Sequence, residues 1–217
     1  MSTHADLELL AAWRGGDDGA GEALFDRHFE SIYRFFCNKV GRDVDDLVQQ
    51  TFLGCLEARE RLRGDASFRT FLFAVARNQL LRHREGRYGG RPGPTFQDSR
   101  VADLEATPTQ LVVEHEEQAL LLRALRRLPL DLQIALELFY WESLPSAALA
   151  EVLEIPHGTV RSRLRRGREQ LRIEVERLTD DPALANSTLG DFERWMGSVK
   201  RKAGLPSEGP ATEGEPG

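Results

Sequence analysis

With 217 residues, 41% of them hydrophobic and 29% charged, the chain is long enough for two small cores and ordinary enough in composition to fill them. The formal net charge of −6 argues, taken as a total, against a nucleic-acid binder. Two cysteines, Cys37 and Cys55, stand among apolar residues with no CxxC pair, which excludes a disulfide framework and a zinc site of the usual spacing and points to a cytoplasmic chain.

The N-terminus, MSTHADLELLAAWRGGDD, carries no basic start followed by an apolar core, so no signal peptide is expected. No uncharged apolar run reaches the roughly 18 residues a membrane span needs. Residues 1–86 read as one helical domain. Leu24, Phe25, Phe29, Ile32, Tyr33 and Phe36 recur at helical spacing. Leu47, Val48, Phe52, Cys55 and Leu56 form a second run, and Phe71, Leu72, Val75, Leu80 and Leu81 a third. Asp43 is placed to cap the second run, with Asp45 and Asp46 favourable in its first turn.

Residues 87–110 lose this periodicity. GRYGGRPGPTFQDS is rich in glycine and proline, cannot hold a helix and reads as a flexible linker. Residues 111–178 read as a second helical domain. Leu120 to Leu128 end one helix at Pro129, Leu132 to Phe139 lie in the next, Ala147 to Leu153 form a short third, and a long one follows Ile155-Pro156. Residues 179–217 are acidic and read as mostly disordered, with one helical face at Phe192, Trp195, Met196 and Val199. No strand-like alternation occurs, so the fold class is all-α: two small helical domains joined by a flexible linker.

Local charge reverses what the total suggests. Pro156 to Arg172 holds six arginines and one acid, and a phosphate backbone feels that local field because more distant charges are screened. The segment PSAALAEVLEIPHGTVRSRLRRGREQL, residues 145–171, reads as a helix-turn-helix. Ala150 is small where two helices cross, and Val160 and Leu164 pin the second helix to the first. Thr159, Arg161, Ser162, Arg163, Arg165, Arg166 and Arg168 are left outside the apolar stripe. Arginines there grip guanine edges or phosphates, and the helix start near Gly158 favours an anion. The turn position that calls for a positive φ is Glu154, where a non-glycine residue costs on the order of 1 kcal/mol. The alternative is an arginine-rich solvated face.

Three segments together carry a family resemblance. DVDDLVQQTFLGCLEA, residues 43–58, resembles the polymerase-binding helix of sigma factors. LRGDASFRTFLFAVARNQLLRHR, residues 62–84, resembles their region for recognising and melting the promoter −10 element. Residues 122–171 resemble their fourth conserved region, which binds the −35 element through its helix-turn-helix. The chain therefore resembles a sigma-70 family member of the extracytoplasmic function (ECF) group over about residues 20–178, with the motifs in the family's order.

The resemblance implies roles for particular positions. Asp45, Asp46, Val48, Gln49 and Gln50 fall where the family docks on the clamp of core RNA polymerase. Arg63, Gly64, Asp65, Ser67, Phe68, Thr70, Phe71, Arg77, Asn78, Arg82 and Arg84 fall in the −10 segment. There a permissive loop, polar groups and aromatic surface suit the capture of an unstacked base, although for Phe68 and Phe71 plain core packing is the competing reading. His157, Gly158, Thr159, Arg161, Ser162, Arg163, Arg165 and Arg166 fall in the −35 reader. The chain departs from the family at Gln50, where an acid is usual, and at Phe71, where tryptophan is common.

The expected partners are core RNA polymerase, promoter DNA and an anti-sigma factor, with no cofactor, metal, membrane insertion or small-molecule substrate. His4, His28, His83, His115 and His157 show no ligand spacing, and no phosphate loop or nucleophile motif occurs, so an enzyme is the least expected class. Two rivals stand beside the initiator reading. One is a self-sufficient helix-turn-helix regulator, and the other a degenerate sigma-like protein that binds partners without initiating.

Overall fold

The computed structural model describes residues 4–40, 43–58, 67–87 and 116–190. All regular structure among them is helical. The first half consists of α1 (His4–Arg14), α2 (Asp18–Cys37), α3 (Val44–Glu57) and α4 (Phe68–Arg87). The second consists of α5 (Glu116–Arg126), α6 (Leu130–Tyr140), α7 (Ser146–Leu153), α8 (His157–Leu178) and α9 (Pro182–Gly190). No helix among the described residues is long and apolar enough to cross a membrane.

Local chemistry sets the boundaries. Gly16 takes φ +100°, which turns the chain sharply out of α1. Asp17 then caps α2, its carboxylate accepting from the Ala20 amide at 3.1 Å. The return brings α2 against α1 so closely that a Cβ on Gly21 would meet the Trp13 indole at 2.5 Å. Trp13, fully buried, meets Phe25 and Phe68 edge-on, and Phe68 packs beside His28. Leu72, Phe73, Ala76 and Leu80 of α4 complete this core with Leu47 and Val48 of α3. Asp43 stands at the start of α3 as expected, but its side chain makes no cap bond. Its carboxylate lies 3.4 Å from the His83 ring instead.

α6 is buried over nearly its whole circumference, Leu130 to Leu138 without a break, so it is the central post of the second half. α8 crosses it at Gly167, where an added Cβ would lie 3.1 Å from Leu136. Between α7 and α8, Glu154 adopts φ 54° and ψ 45°, the left-handed turn that its position in the motif demands. The turn is tied by the Ile155 amide donating to the Ala150 carbonyl at 3.1 Å. Val160 and Leu164 are buried against α7 as their spacing indicates.

α9 falls where composition alone indicates an unstructured tail. It packs on α5 and α8, burying Ala185 and Thr188. The helical face expected at Phe192 to Val199 and the linker beyond Arg87 lie outside the described residues.

The two halves are docked on each other. α4 lies against α7, and a cluster of buried polar groups from α2 meets α6 and the turn after it. Arg34 reaches Glu142 at 2.7 Å. Lys39 pairs with Glu137, donates to the Phe35 carbonyl at 2.8 Å and sits 4.0 Å over the Phe35 ring. Asn38 donates to Glu137 at 2.6 Å and accepts from Arg126 at 3.0 Å.

Candidate nucleic-acid interface

The second half presents one strongly basic face. On α8, Arg161, Ser162, Arg165, Arg166 and Arg168 are exposed, as are His157 and Gly158 at the helix start, while Thr159 is half-covered. The α7–turn–α8 packing aims this face outward, because Val160, Leu164, Gly167 and Leu171 take the inward side. Ser146 and His157 approach to 3.0 Å and join the starts of α7 and α8. Ser162 donates back to the Thr159 carbonyl at 2.8 Å, which turns its hydroxyl along the helix.

Arg163 does not belong to that face. Its guanidinium lies 3.4 Å from the Asp131 carboxylate, with both side chains largely covered. Burial raises the Asp131 pKa, and the positive charges of Arg163 and Arg166 and local backbone N–H bonds oppose the shift. Arg163 therefore ties α8 to the start of α6 and stands partly covered beside the exposed arginines. Charge and position in the run do not separate it from Arg161 and Arg165. Only the partner on α6 does.

In the first half, α4 offers a narrower polar face than its sequence promises. Asn78 and Arg82 are exposed and Phe71 is half-buried. Phe68 is fully buried in the aromatic cluster with Trp13, Phe25 and His28, so it is a core residue and offers no surface to a base. Ser67 caps α4, its hydroxyl accepting from the Thr70 amide at 3.1 Å, and Thr70 is buried beside it. Arg77 and Arg84 are also buried, and Arg77 pairs with Glu154 at 3.1 Å. Arg63, Gly64 and Asp65 lie outside the described residues.

A third surface runs between α2 and α3. Asp45, Asp46, Gln49 and Gln50 are exposed there, whereas Val48 is buried and contributes only a wall. The sequence points to the polar residues. The structure adds an open apolar groove of about 350 Å³ beside them, walled by Phe25, Phe29, Phe52, Leu53 and Leu56 and bordered by Asp45 and Gln49. Phe29, Leu53 and Leu56 are 45%, 49% and 44% exposed, an unusual concentration for a surface. Phe29 and Leu56 look like core positions by periodicity alone. Their exposure follows from the crossing of α2 and α3.

These surfaces occur in a chain whose residues 24–88 match the family profile described as Sigma-70 region 2 and whose residues 118–171 match Sigma-70, region 4. The chain belongs to the sigma-70 family. It is similar to the ECF RNA polymerase sigma-E factor of Haemophilus influenzae, at 28% identity over 80% of this chain and 96% of the relative. It is also similar to the RNA polymerase sigma-H factor of Pseudomonas aeruginosa, at 29% over 79% and 94%. Among solved structures it resembles CnrH, captured in complex with the cytosolic domain of CnrY, with a TM-score of 0.60 at 23% identity over 82% of this chain and 99% of that one. The last likeness bears on the fold, and it embraces both halves. The molecule is a sigma factor of promoter-specific transcription, and the first two-thirds of α8 lies within its region 4, α3 and α4 within its region 2. Among the described residues no cluster of His, Cys, Asp and Glu is arranged to hold a metal ion.

Proposed function

We propose that this sigma factor binds core RNA polymerase through the α2–α3 surface, reads a −35 element with α8 and engages the −10 element with α4. The observation that carries the reading is the one-sided basic face of α8, set out on a helix-turn-helix behind a region 2 half in the same chain. Arg161, Arg165 and Arg166 are the base and phosphate contacts, with His157, Gly158 and Ser162 at the phosphate-facing start of the helix. Asn78 and Arg82 serve the −10 strand, aided by Phe71 once the helix face is open. The polymerase contact combines the apolar groove with the rim of Asp45, Asp46, Gln49 and Gln50. The protein acts in the cytoplasm as a specificity subunit without a cofactor. Its relative CnrH was captured with a cytosolic segment of CnrY, which supports an anti-sigma partner here as well.

Run-off transcription with core polymerase on a library of upstream genomic fragments tests the assignment. New start sites that share two upstream motifs at fixed spacing are expected. Binding to core without any new start site would leave the degenerate, partner-titrating reading. Tight DNA binding without core would favour the stand-alone regulator.

A further inference from the structure

Arg163 stands at the border between the two faces of α8. Successive helical residues turn by about 100°, which puts Arg163 about 60° around the helix from Arg166 and about 40° from Gly167. Arg166 is exposed and Gly167 is buried. From that edge a side chain as long as arginine can reach either the solvent or the protein. It takes the protein. Its guanidinium lies 3.4 Å from the Asp131 carboxylate, and the two side chains are only 14% and 8% exposed. Asp131 is the second residue of α6. The charges of Arg163 and Arg166 and the N–H groups of Leu132 and Asp131 all favour its ionised form against the effect of burial. A guanidinium receives a carboxylate and a phosphate through the same fork of N–H groups. The carboxylate of Asp131 therefore takes from Arg163 what a DNA phosphate would take.

We propose that Asp131 is a positioning residue of the −35 reader: it engages Arg163 in place of a DNA phosphate and keeps that arginine off the sugar-phosphate backbone when α8 lies on its element. The cover over the pair is what makes the hold durable. A covered ion pair is screened by salt much less than an exposed one. Drawing Arg163 away would leave the Asp131 carboxylate buried and uncompensated, a cost that one solvent-screened phosphate contact does not repay. The exposed Arg161, Arg165 and Arg166 remain for DNA. Phosphate contacts add affinity without sequence information. Holding one arginine back therefore lowers the salt-sensitive, sequence-independent part of binding and leaves the base contacts as they are. The proposal rests on the assignment of α8 as the −35 reader, and its test separates the two.

The test uses holoenzyme reconstituted from core polymerase and the full chain, with a labelled promoter duplex recovered by run-off transcription. Fluorescence anisotropy gives the affinity between about 50 and 200 mM salt. The slope of log affinity against log salt counts the phosphates engaged, at about 0.9 for each, and the share due to core is common to all variants. Asp131→Asn removes the charge with little change of shape and frees Arg163. Its slope steepens by about 0.9, so its affinity falls about 3.5-fold further than that of the wild type over this range. Asp131→Asn with Arg163→Gln returns the slope to the wild-type value. If Asp131 only supports the fold, Asp131→Asn binds more weakly at every salt concentration with an unchanged slope, and that result overturns the proposal. Arg163→Gln alone does not depend on how Asp131→Asn folds. It keeps the wild-type slope, and a slope shallower by about 0.9 would mean that Arg163 already sits on a phosphate, which also overturns the proposal. Arg165→Gln with Arg166→Gln tests the assignment beneath it, with a shallower slope expected. If that variant binds as the wild type does, α8 is not the −35 reader and both conclusions fall. If it responds while Asp131→Asn keeps the wild-type slope, only the hold on Arg163 falls.

Discussion

Replacing Leu53 and Leu56 together by alanine probes the polymerase-docking assignment where it is most exposed. Burying a leucine fully stabilises by roughly 1.5–3 kcal/mol. These two are 49% and 44% exposed in the groove between α2 and α3, so about half of each is free to be covered by a partner. Each then contributes about 1 kcal/mol to docking, and the pair about 2 kcal/mol, a loss of about 30-fold in affinity for core polymerase. The other half of each side chain packs within the fold, so thermal stability also falls somewhat, and binding must be measured well below the unfolding temperature. Competition against a labelled reference sigma factor for core polymerase gives the affinity directly. Leu47→Ala is the companion, because Leu47 is 1% exposed. It costs about 2–5 kcal/mol of stability yet leaves the affinity of the folded fraction alone. If the Leu53/Leu56 variant binds core within twofold of wild type, the groove is not the docking surface.

Further outcomes separate reading from holding. Arg161→Ala lowers affinity for a cognate −35 duplex by about 1–3 kcal/mol without changing the unfolding temperature. Arg163→Ala does the reverse, destabilising by about 1–3 kcal/mol because it strands the Asp131 carboxylate. Electrophoretic mobility shift with the isolated holoenzyme and a thermal melt tell them apart, and equal melts for the two variants would refute the distinction. Phe68→Ala costs about 3–5 kcal/mol in urea denaturation, and a stable variant defective only in promoter opening would show that Phe68 leaves the core to meet a base. Burial lowers the pKa of His28, with Asp6 opposing and Arg69 and Arg27 adding to the shift. The folded state thus prefers the neutral ring, and the unfolded chain binds the proton first as pH falls. The stability from this group is complete above the ordinary histidine value of 6.5 and declines below it, toward the folded pKa. The gap between urea midpoints at about pH 7.5 and pH 5.5 should be smaller in a His28→Gln variant than in wild type, and an identical gap in the two proteins would refute the assignment.

Much of this is legible in the sequence, for reasons that differ by element. α2, α6 and α8 follow from apolar spacing, since the stripes that periodicity marks are the stripes that packing buries. The left-handed turn at Glu154 follows from the geometry of the helix-turn-helix, even with a residue type unsuited to it. α1 and α9 are not legible. α1 is short, and its anchor is one tryptophan whose place depends on Gly21 of the next helix. α9 has an Ala-, Ser- and Thr-rich sequence, PALANSTLG, that carries little stripe and folds against α5 and α8 rather than by its own propensity. The surroundings of Phe68 and Arg163 are hidden from the sequence for a shared reason: residue type and helical position say which face a side chain is on, but not which neighbour that face meets.

The same limit explains why the contact between the halves is invisible in the sequence. Arg34, Asn38, Lys39, Glu137 and Glu142 are the residue types that ordinarily face solvent, and they are nevertheless almost fully buried. Together, the charges neutralise one another across the seam. Lys39 shows the balance: burial pulls its pKa down, while Glu137 pulls it up. Removing one partner leaves the other buried and uncompensated, at a cost of about 3–5 kcal/mol.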